Sequence, residues 1–272
     1  MHPKEVVMCS TRMTTVLVSV MVLIGCGGKP QDASAKTENH TDAVQPMQLA
    51  QAPAAAQPAV GGAAVQVSVK FSGTAPARTK VKMDADPVCQ QQHTIPMESE
   101  EVVVNSNQTL SNVFVYVKDG LTGTFPAPSA PATLEQSGCW YRPHVFGLQV
   151  NQPFDIINSD ATLHNINAKP TANTPFNIAQ PVKGMKTSKK FAKPEVMVKF
   201  KCNVHPWMNA YAGVLAHPFF AVSDEQGTAA ITGLPAGTYT LEAWHETYGT
   251  QTQTVTVADG ETKSVEFTFA AK

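Results

Sequence analysis

The chain is short of charge. Charged residues make up 15% of its 272 positions, with 20 Lys and Arg against 21 Asp and Glu. With no excess of either sign, nothing in the global field recommends a nucleic acid or an anionic bilayer surface as partner. Catalytic signatures are missing as well. There is no glycine-rich phosphate loop, no Gly-x-Ser-x-Gly elbow and no His-Glu-x-x-His helix; His245-Glu246 is half of that last motif without its partner. The 8 histidines include no His-x-His pair, so the clustered imidazoles of a multi-metal catalytic centre are excluded. The 10 methionines form no tract, and no amphipathic stretch is long enough to require a helix. These absences argue against an enzyme.

What is there is β structure. Short β-branched and aromatic runs are separated by 20 Pro and 17 Gly, an all-β signature. Val65, Val67, Val69 and Phe71 alternate with polar residues and predict a half-buried strand. Strands are also expected at Val102 to Val104 and Val113 to Val117, with a turn at Asn105-Ser106-Asn107 and a surface loop from Phe125 to Pro131. His144 to Val150 and Phe154 to Asn158 read as a pair around Asn151-Gln152-Pro153. Ahead of all this, Lys4 and Arg12 precede an apolar core from Val16 to Gly25, too short to span a bilayer comfortably, which predicts a signal peptide over residues 1–25. Leu23-Ile24-Gly25-Cys26 resembles the lipobox of bacterial lipoproteins. The resemblance implies lipidation at Cys26 and a protein anchored on the periplasmic side of a membrane, the outer one by the rule that Gly27 replaces Asp after the Cys. Residues 26–64, rich in Ala, Gln, Pro and Gly, are expected to be a disordered tether.

The chemistry concentrates in Cys202-Asn203-Val204-His205-Pro206-Trp207-Met208. Thiol, imidazole and thioether at three-residue steps are soft and borderline donors, the kind copper prefers. Just before them, Val196, Val198, Phe200 and Cys202 alternate with Met197, Lys199 and Lys201, which puts the thiol on the apolar face of a strand. His164, after the expected strand Phe154 to Asn158, supplies a second imidazole. Two His, one Cys and one Met are the ligand set of a blue-copper site.

At these residues, over roughly 112 to 217, the chain resembles the cupredoxins, with an amicyanin-like spacing of the Cys-His-Met loop and a matching His164-Asn165. The resemblance implies a Greek-key β-sandwich holding one type 1 copper that carries single electrons. His164, Cys202 and His205 would bind in a plane, Met208 would be a weak axial ligand, and the Asn165 backbone N–H would donate to the thiolate. Copper storage or delivery by the same ligands is the alternative function. Ser223 to Gly227, Gly233 to Tyr239 and the strand pattern through Phe269 resemble a carboxypeptidase regulatory-like module, a transthyretin-like sandwich of which only the second half is visible. The strands at Val65 and Val113 are candidates to complete it, with the copper part inserted in this module or sharing a sheet with it. The domains expected are thus a β segment at 65–111, a copper domain at 112–217 and a β module at 218–272.

Of the 5 cysteines, Cys9 falls in the signal, Cys26 is given to lipid and Cys202 to copper. Cys89 and Cys139 remain, and export favours a disulfide between them, worth about 4 kcal/mol by chain entropy. A second metal centre from Cys89, His93 and His144 with Cys139 is the alternative. His144, His217 and His245, beside apolar residues or Pro, read as structural, and His93 is left unassigned. Lys183 to Lys201 holds seven Lys and one Glu. This basic ribbon, with Pro206 and Trp207 beside an exposed edge of His205, is expected to dock an acidic redox partner.

Overall fold

The computed structural model describes residues 62–271. The signal peptide, Cys26 and nearly all of the tether lie outside them. The chain opens with β1 (Ala63–Ser72), a short helix α1 (Pro87–Gln91) and β2 (Phe114–Asp119). The middle holds β3 (Ala132–Gln136), β4 (Tyr141–Arg142), β5 (Val145–Gln149), β6 (Phe154–Asn158), β7 (His164–Ala168), β8 (Phe176–Gln180), β9 (Lys186–Lys189), β10 (Glu195–Lys201) and β11 (Asn209–Leu215). Then come β12 (Phe220–Val222), β13 (Thr228–Leu234), β14 (Gly237–His245), β15 (Gly249–Val257) and β16 (Thr262–Ala270). The protein is all-β, built as two sandwiches.

The first sandwich joins both ends of the described chain. In β1 the period of two is clean: Val65, Val67, Val69 and Phe71 are buried and Gln66 and Lys70 exposed. β1 lies between β13, antiparallel, and β16, parallel. The facing sheet runs β12-β2-β14-β15. Between the two sheets, Val65, Val67, Ile231 and Phe267 pack with Val113, Val115, Leu241 and Val257. β2 therefore belongs with the C-terminal strands, and the boundary expected at residue 112 does not separate the sheets. The chain leaves this sandwich after β2 and re-enters it at β12, so the second sandwich is an insertion. Val102 to Val104 contributes a single bridge, Val104 to Leu110, in place of a strand.

The inserted sandwich packs the sheet β5-β11-β10-β7-β8 on the sheet β4-β3-β6-β9. Its core is aromatic, with Phe146, Phe154, Phe191 and Phe200 in mutual ring contact. β5 and β6 do not pair, contrary to the hairpin expected there. β5 runs parallel to β11, whereas β6 pairs with β3 and β9 in the opposite sheet. Asn151, with φ of 65°, turns the chain across the core instead. The alternation in β10 also fails at its start. A register shift between Glu195 and Val198 leaves Val196 38% exposed, while Val198 and Phe200 stay buried.

β2 locks the two sandwiches together because both of its faces are buried. Its valines enter the first core; Phe114 and Tyr116 point the other way and meet Val145, Tyr211 and Leu215. The approach depends on two glycines paired across β5 and β11, Gly147 and Gly213. A Cβ on Gly213 would lie 2.3 Å from the Phe114 ring, and one on Gly147 2.2 Å from Phe220, rings that stack 5.6 Å apart. Gly213→Ala should therefore destabilise the chain by about 1–3 kcal/mol through overpacking. A lower midpoint of urea unfolding, recovered when Phe114→Leu is added, checks this.

Candidate metal centre

The donors meet at one rim of the inserted sandwich. Antiparallel pairing sets Lys201 of β10 opposite Asn167 of β7, so the end of β10 runs beside the start of β7. Cys202 follows β10 directly and His164 opens β7, which brings the two side chains to the same rim. The intervening loop is a tight turn. His205 N–H donates to Cys202 Sγ at 3.3 Å, Met208 N–H to the His205 carbonyl at 2.9 Å, and Cys202 N–H to the Met208 carbonyl at 3.0 Å. Asn165 pins this turn from β7, its Oδ1 accepting from Asn203 N–H at 2.6 Å. Met208 is fully buried in the same core as Cys202.

His164 and His205 face each other with their Nδ1 atoms 3.0 Å apart. Cys202 Sγ is 3.9 Å from His205 Nδ1, and the three donor atoms all lie within 4.8 Å of one another. Each outer nitrogen has a carboxylate. His164 Nε2 donates to Asp160 Oδ2 at 2.8 Å and His205 Nε2 to Asp86 Oδ2 at 3.0 Å. With both Nε2 protons so engaged, a ring can donate to its neighbour or to Cys202 only through a proton at Nδ1, and without one two Nδ1 lone pairs confront each other in a buried place. Such a contact is stable only with a positive centre between them, a proton or a metal ion.

The electrostatics favour an anionic sulfur. Burial acts to raise the Cys202 thiol, but hydrogen bonds from His164, from His205 and from the N–H groups of His205 and Asn165 outweigh it and bring it down to about 6. The Asn165 N–H expected to serve the thiolate is among these donors. Burial likewise opposes charge on Asp160, yet His164 and the N–H groups of Cys139 and Gly138 hold its carboxyl below the usual range. Burial tends to lower His164, and Asp160 and Cys202 more than reverse that, raising it.

The carboxypeptidase regulatory-like domain model matches residues 212–270, from within β11 through the C-terminal strands of the first sandwich. No curated protein matches the chain in sequence. Solved structures similar to part of it include a copper-containing nitrite reductase from Thermus scotoductus, at 20% identity over 35% of this chain and 24% of that one, with a TM-score of 0.28. A purple cupredoxin from Nitrosopumilus maritimus aligns at 19% identity over 30% of this chain and 97% of its own, TM-score 0.26. A methionine-to-alanine variant of amicyanin in its Cu(I) form aligns at 16% identity over 37% and 97%, TM-score 0.28. The chain thus spans about a quarter of the nitrite reductase and nearly all of the two small copper proteins.

Of the residues singled out in the sequence, His164, Cys202 and His205 converge, and Asn165 and Met208 adjoin them. Imidazole, imidazole and thiolate buried together, with a thioether on the same loop, are a donor set that fits copper. Cys89 and Cys139 are joined, S–S 2.02 Å, so they do not supply the thiolates of a separate centre with His93 and His144. His144 is bonded to Glu246 at 2.5 Å and to the Asn209 carbonyl at 3.1 Å, and His93 to the Gly138 carbonyl at 2.7 Å. His217 contacts Phe125 and Phe219, and His245 contacts Tyr248 and Phe269.

Two expectations need correction. The edge of His205 is not exposed: the residue is 2% accessible, with Asp86 and the Cys89 sulfur, 3.5 Å away, lying over Nε2. The basic ribbon is not one ribbon either. Lys186 and Lys189 lie on β9 in one sheet and Lys199 and Lys201 on β10 in the other; Lys186 pairs with Asp155 at 2.5 Å and Lys199 covers the Tyr211 ring. Sequence reasoning missed Asp86 and Asp160. Asp86-Pro87 is a helix-start signal, N-cap followed by Pro, and could have drawn attention to α1. In metal-free protein the ultraviolet absorbance of the Cys202 thiolate should appear with a midpoint near pH 6, neutral thiol below it and thiolate above. Cys202→Ser should remove that transition.

Proposed function

We propose that this protein is a blue (type 1) copper protein that carries single electrons between redox partners, held to a membrane through lipid on Cys26. One observation carries the reading: two imidazoles turned Nδ1 to Nδ1 beside a thiol poised to ionise, all three buried. A copper ion supplies one-electron chemistry, cycling between Cu(II) and Cu(I). The residues supply the rest. His164, His205 and Cys202 would hold the ion, with Met208 the remaining soft donor. The loop bonds among Cys202, His205 and Met208 keep the donors in place in both oxidation states, which limits rearrangement on electron transfer. Burial keeps water and competing thiols from the sulfur. The chain acts as a carrier rather than an enzyme in this reading, since all four donors are buried away from any substrate in solution.

The test is optical. Copper-loaded protein should show an intense thiolate-to-copper band in the visible, and Cys202→Ser should abolish it. A colourless adduct in the unmodified protein, together with Cu(I) passed on to an acceptor, would replace this reading by storage or delivery.

The docking face follows from charge and place. Lys199 and Lys201 end the strand that feeds the donor loop, and Pro206 is exposed beside them, so an acidic redox protein on the periplasmic side of the outer membrane is the partner that fits. The rate of electron transfer to it should fall as ionic strength rises and fall again in Lys199→Gln with Lys201→Gln. Stopped-flow rates that ignore salt would exclude this face.

A further inference from the structure

A buried imidazole that turns one nitrogen to a metal must place its other N–H on an acceptor, and a carboxylate there fixes the ring and strengthens it as a donor. His164 has that acceptor within its own loop, in Asp160, four residues before it. His205 does not. Its acceptor, Asp86, comes from a distant part of the chain and is held by three further bonds. Asp86 Oδ1 caps α1, accepting from Val88 N–H at 2.8 Å and Cys89 N–H at 3.4 Å, and Thr162 donates its hydroxyl to Oδ2 at 2.8 Å.

The Cys89–Cys139 bridge ties this arrangement down. Cys89 sits in the turn that Asp86 caps, and Cys139 sits in the loop whose Gly138 and Cys139 N–H groups donate to Asp160 at 2.9 and 2.7 Å. One disulfide thus joins the carboxylates behind both imidazoles. Around it, Trp207 Nε1 donates to the Cys139 carbonyl at 2.9 Å and His93 holds the Gly138 carbonyl, so the donor loop and the segment after α1 grip the same strand of chain. Nothing else among the described residues accepts from His205 Nε2 except the bridged Cys89 sulfur at 3.5 Å.

We propose that Asp86 is a positioning residue of the metal centre, holding His205 with Nδ1 toward the metal and Nε2–H on its carboxylate, and that the Cys89–Cys139 bridge is the clamp that keeps Asp86 there. The inference rests on the copper reading for its redox consequence but not for its geometry. An anionic acceptor makes His205 a stronger donor and favours Cu(II) over Cu(I). The bridge therefore sets the electron affinity of the centre without touching the metal.

Two measurements decide it. In metal-free full-length protein, nitrogen NMR of the imidazoles should show His205 locked as the Nε2–H form, and Asp86→Asn should release it into a mixture of forms. In copper-loaded protein, Asp86→Asn should raise the preference for Cu(I) over Cu(II) by about ten-fold, which for one electron is about 59 mV of potential. Asn retains the helix cap, so a residue needed only for folding would leave the potential where it was. Cys89→Ser with Cys139→Ser should produce most of the same shift with Asp86 intact, and adding Asp86→Asn to that pair should then change little. Should Asp86→Asn fail to fold, Thr162→Val removes one tether of the carboxylate, leaves the cap, and should shift the potential in the same direction. Unchanged tautomer and unchanged potential in the folded variants overturn the proposal. A colourless copper adduct with the His205 tautomer still dependent on Asp86 would overturn only the redox function and keep the positioning role.

Discussion

Everything at the rim of the inserted sandwich answers to one contact, the two buried imidazole rings whose Nδ1 atoms face each other at 3.0 Å. Two lone pairs in that position repel, so the rings hold it only with a proton or a metal ion between them. Each surrounding bond keeps the rings from turning away. Asp160 and Asp86 take the outer protons, the donor loop folds back on Cys202, and Asn165 fastens that loop to β7. The thiol shares the result, because the rings so held and the N–H groups of His205 and Asn165 hydrogen-bond to it and favour its anion.

That geometry has to be stiff, and the fold supplies stiffness from two sources. Inside the inserted sandwich the phenylalanine cluster under the site is fully enclosed, and close packing there resists movement of the strands that carry the donors. Outside it, β2 binds the insertion to the first sandwich, with Gly147 and Gly213 letting Phe114 and Phe220 approach the backbone of β5 and β11. β11 is also the strand that leaves the donor loop. The first sandwich is therefore more than an appended domain. Its strand β2 is part of the frame on which the donor loop is mounted.

The covered edge of His205 changes how electrons would enter and leave. A donor ring at the surface offers a partner direct contact; here α1 and the disulfide lie over it. Trp207, its ring 5.1 Å from that of His205 and bonded to Cys139, is the nearest aromatic group that reaches partial exposure. In the proposed carrier, a partner would dock on the exposed residues beside the loop rather than on His205 itself.

The sequence by itself determined the class of fold and which donor types stand together on one loop. Strand alternation showed in β1, and the donor types sat at a spacing that one turn can close, because both are local consequences of side-chain period and loop length. The pairing of Cys89 with Cys139 was reachable by counting. Tertiary structure alone decided the rest, since it depends on contacts between residues far apart in the chain. That β5 and β6 separate into opposite sheets follows from the positive φ at Asn151 and from parallel partners elsewhere, which no local pattern encodes. Val196 turns outward because of a register shift set by its neighbour strand. Asp86 reaches His205 across 119 positions because α1 is stapled over the site, and a carboxylate's partner at that distance is a property of the packed molecule, not of the chain.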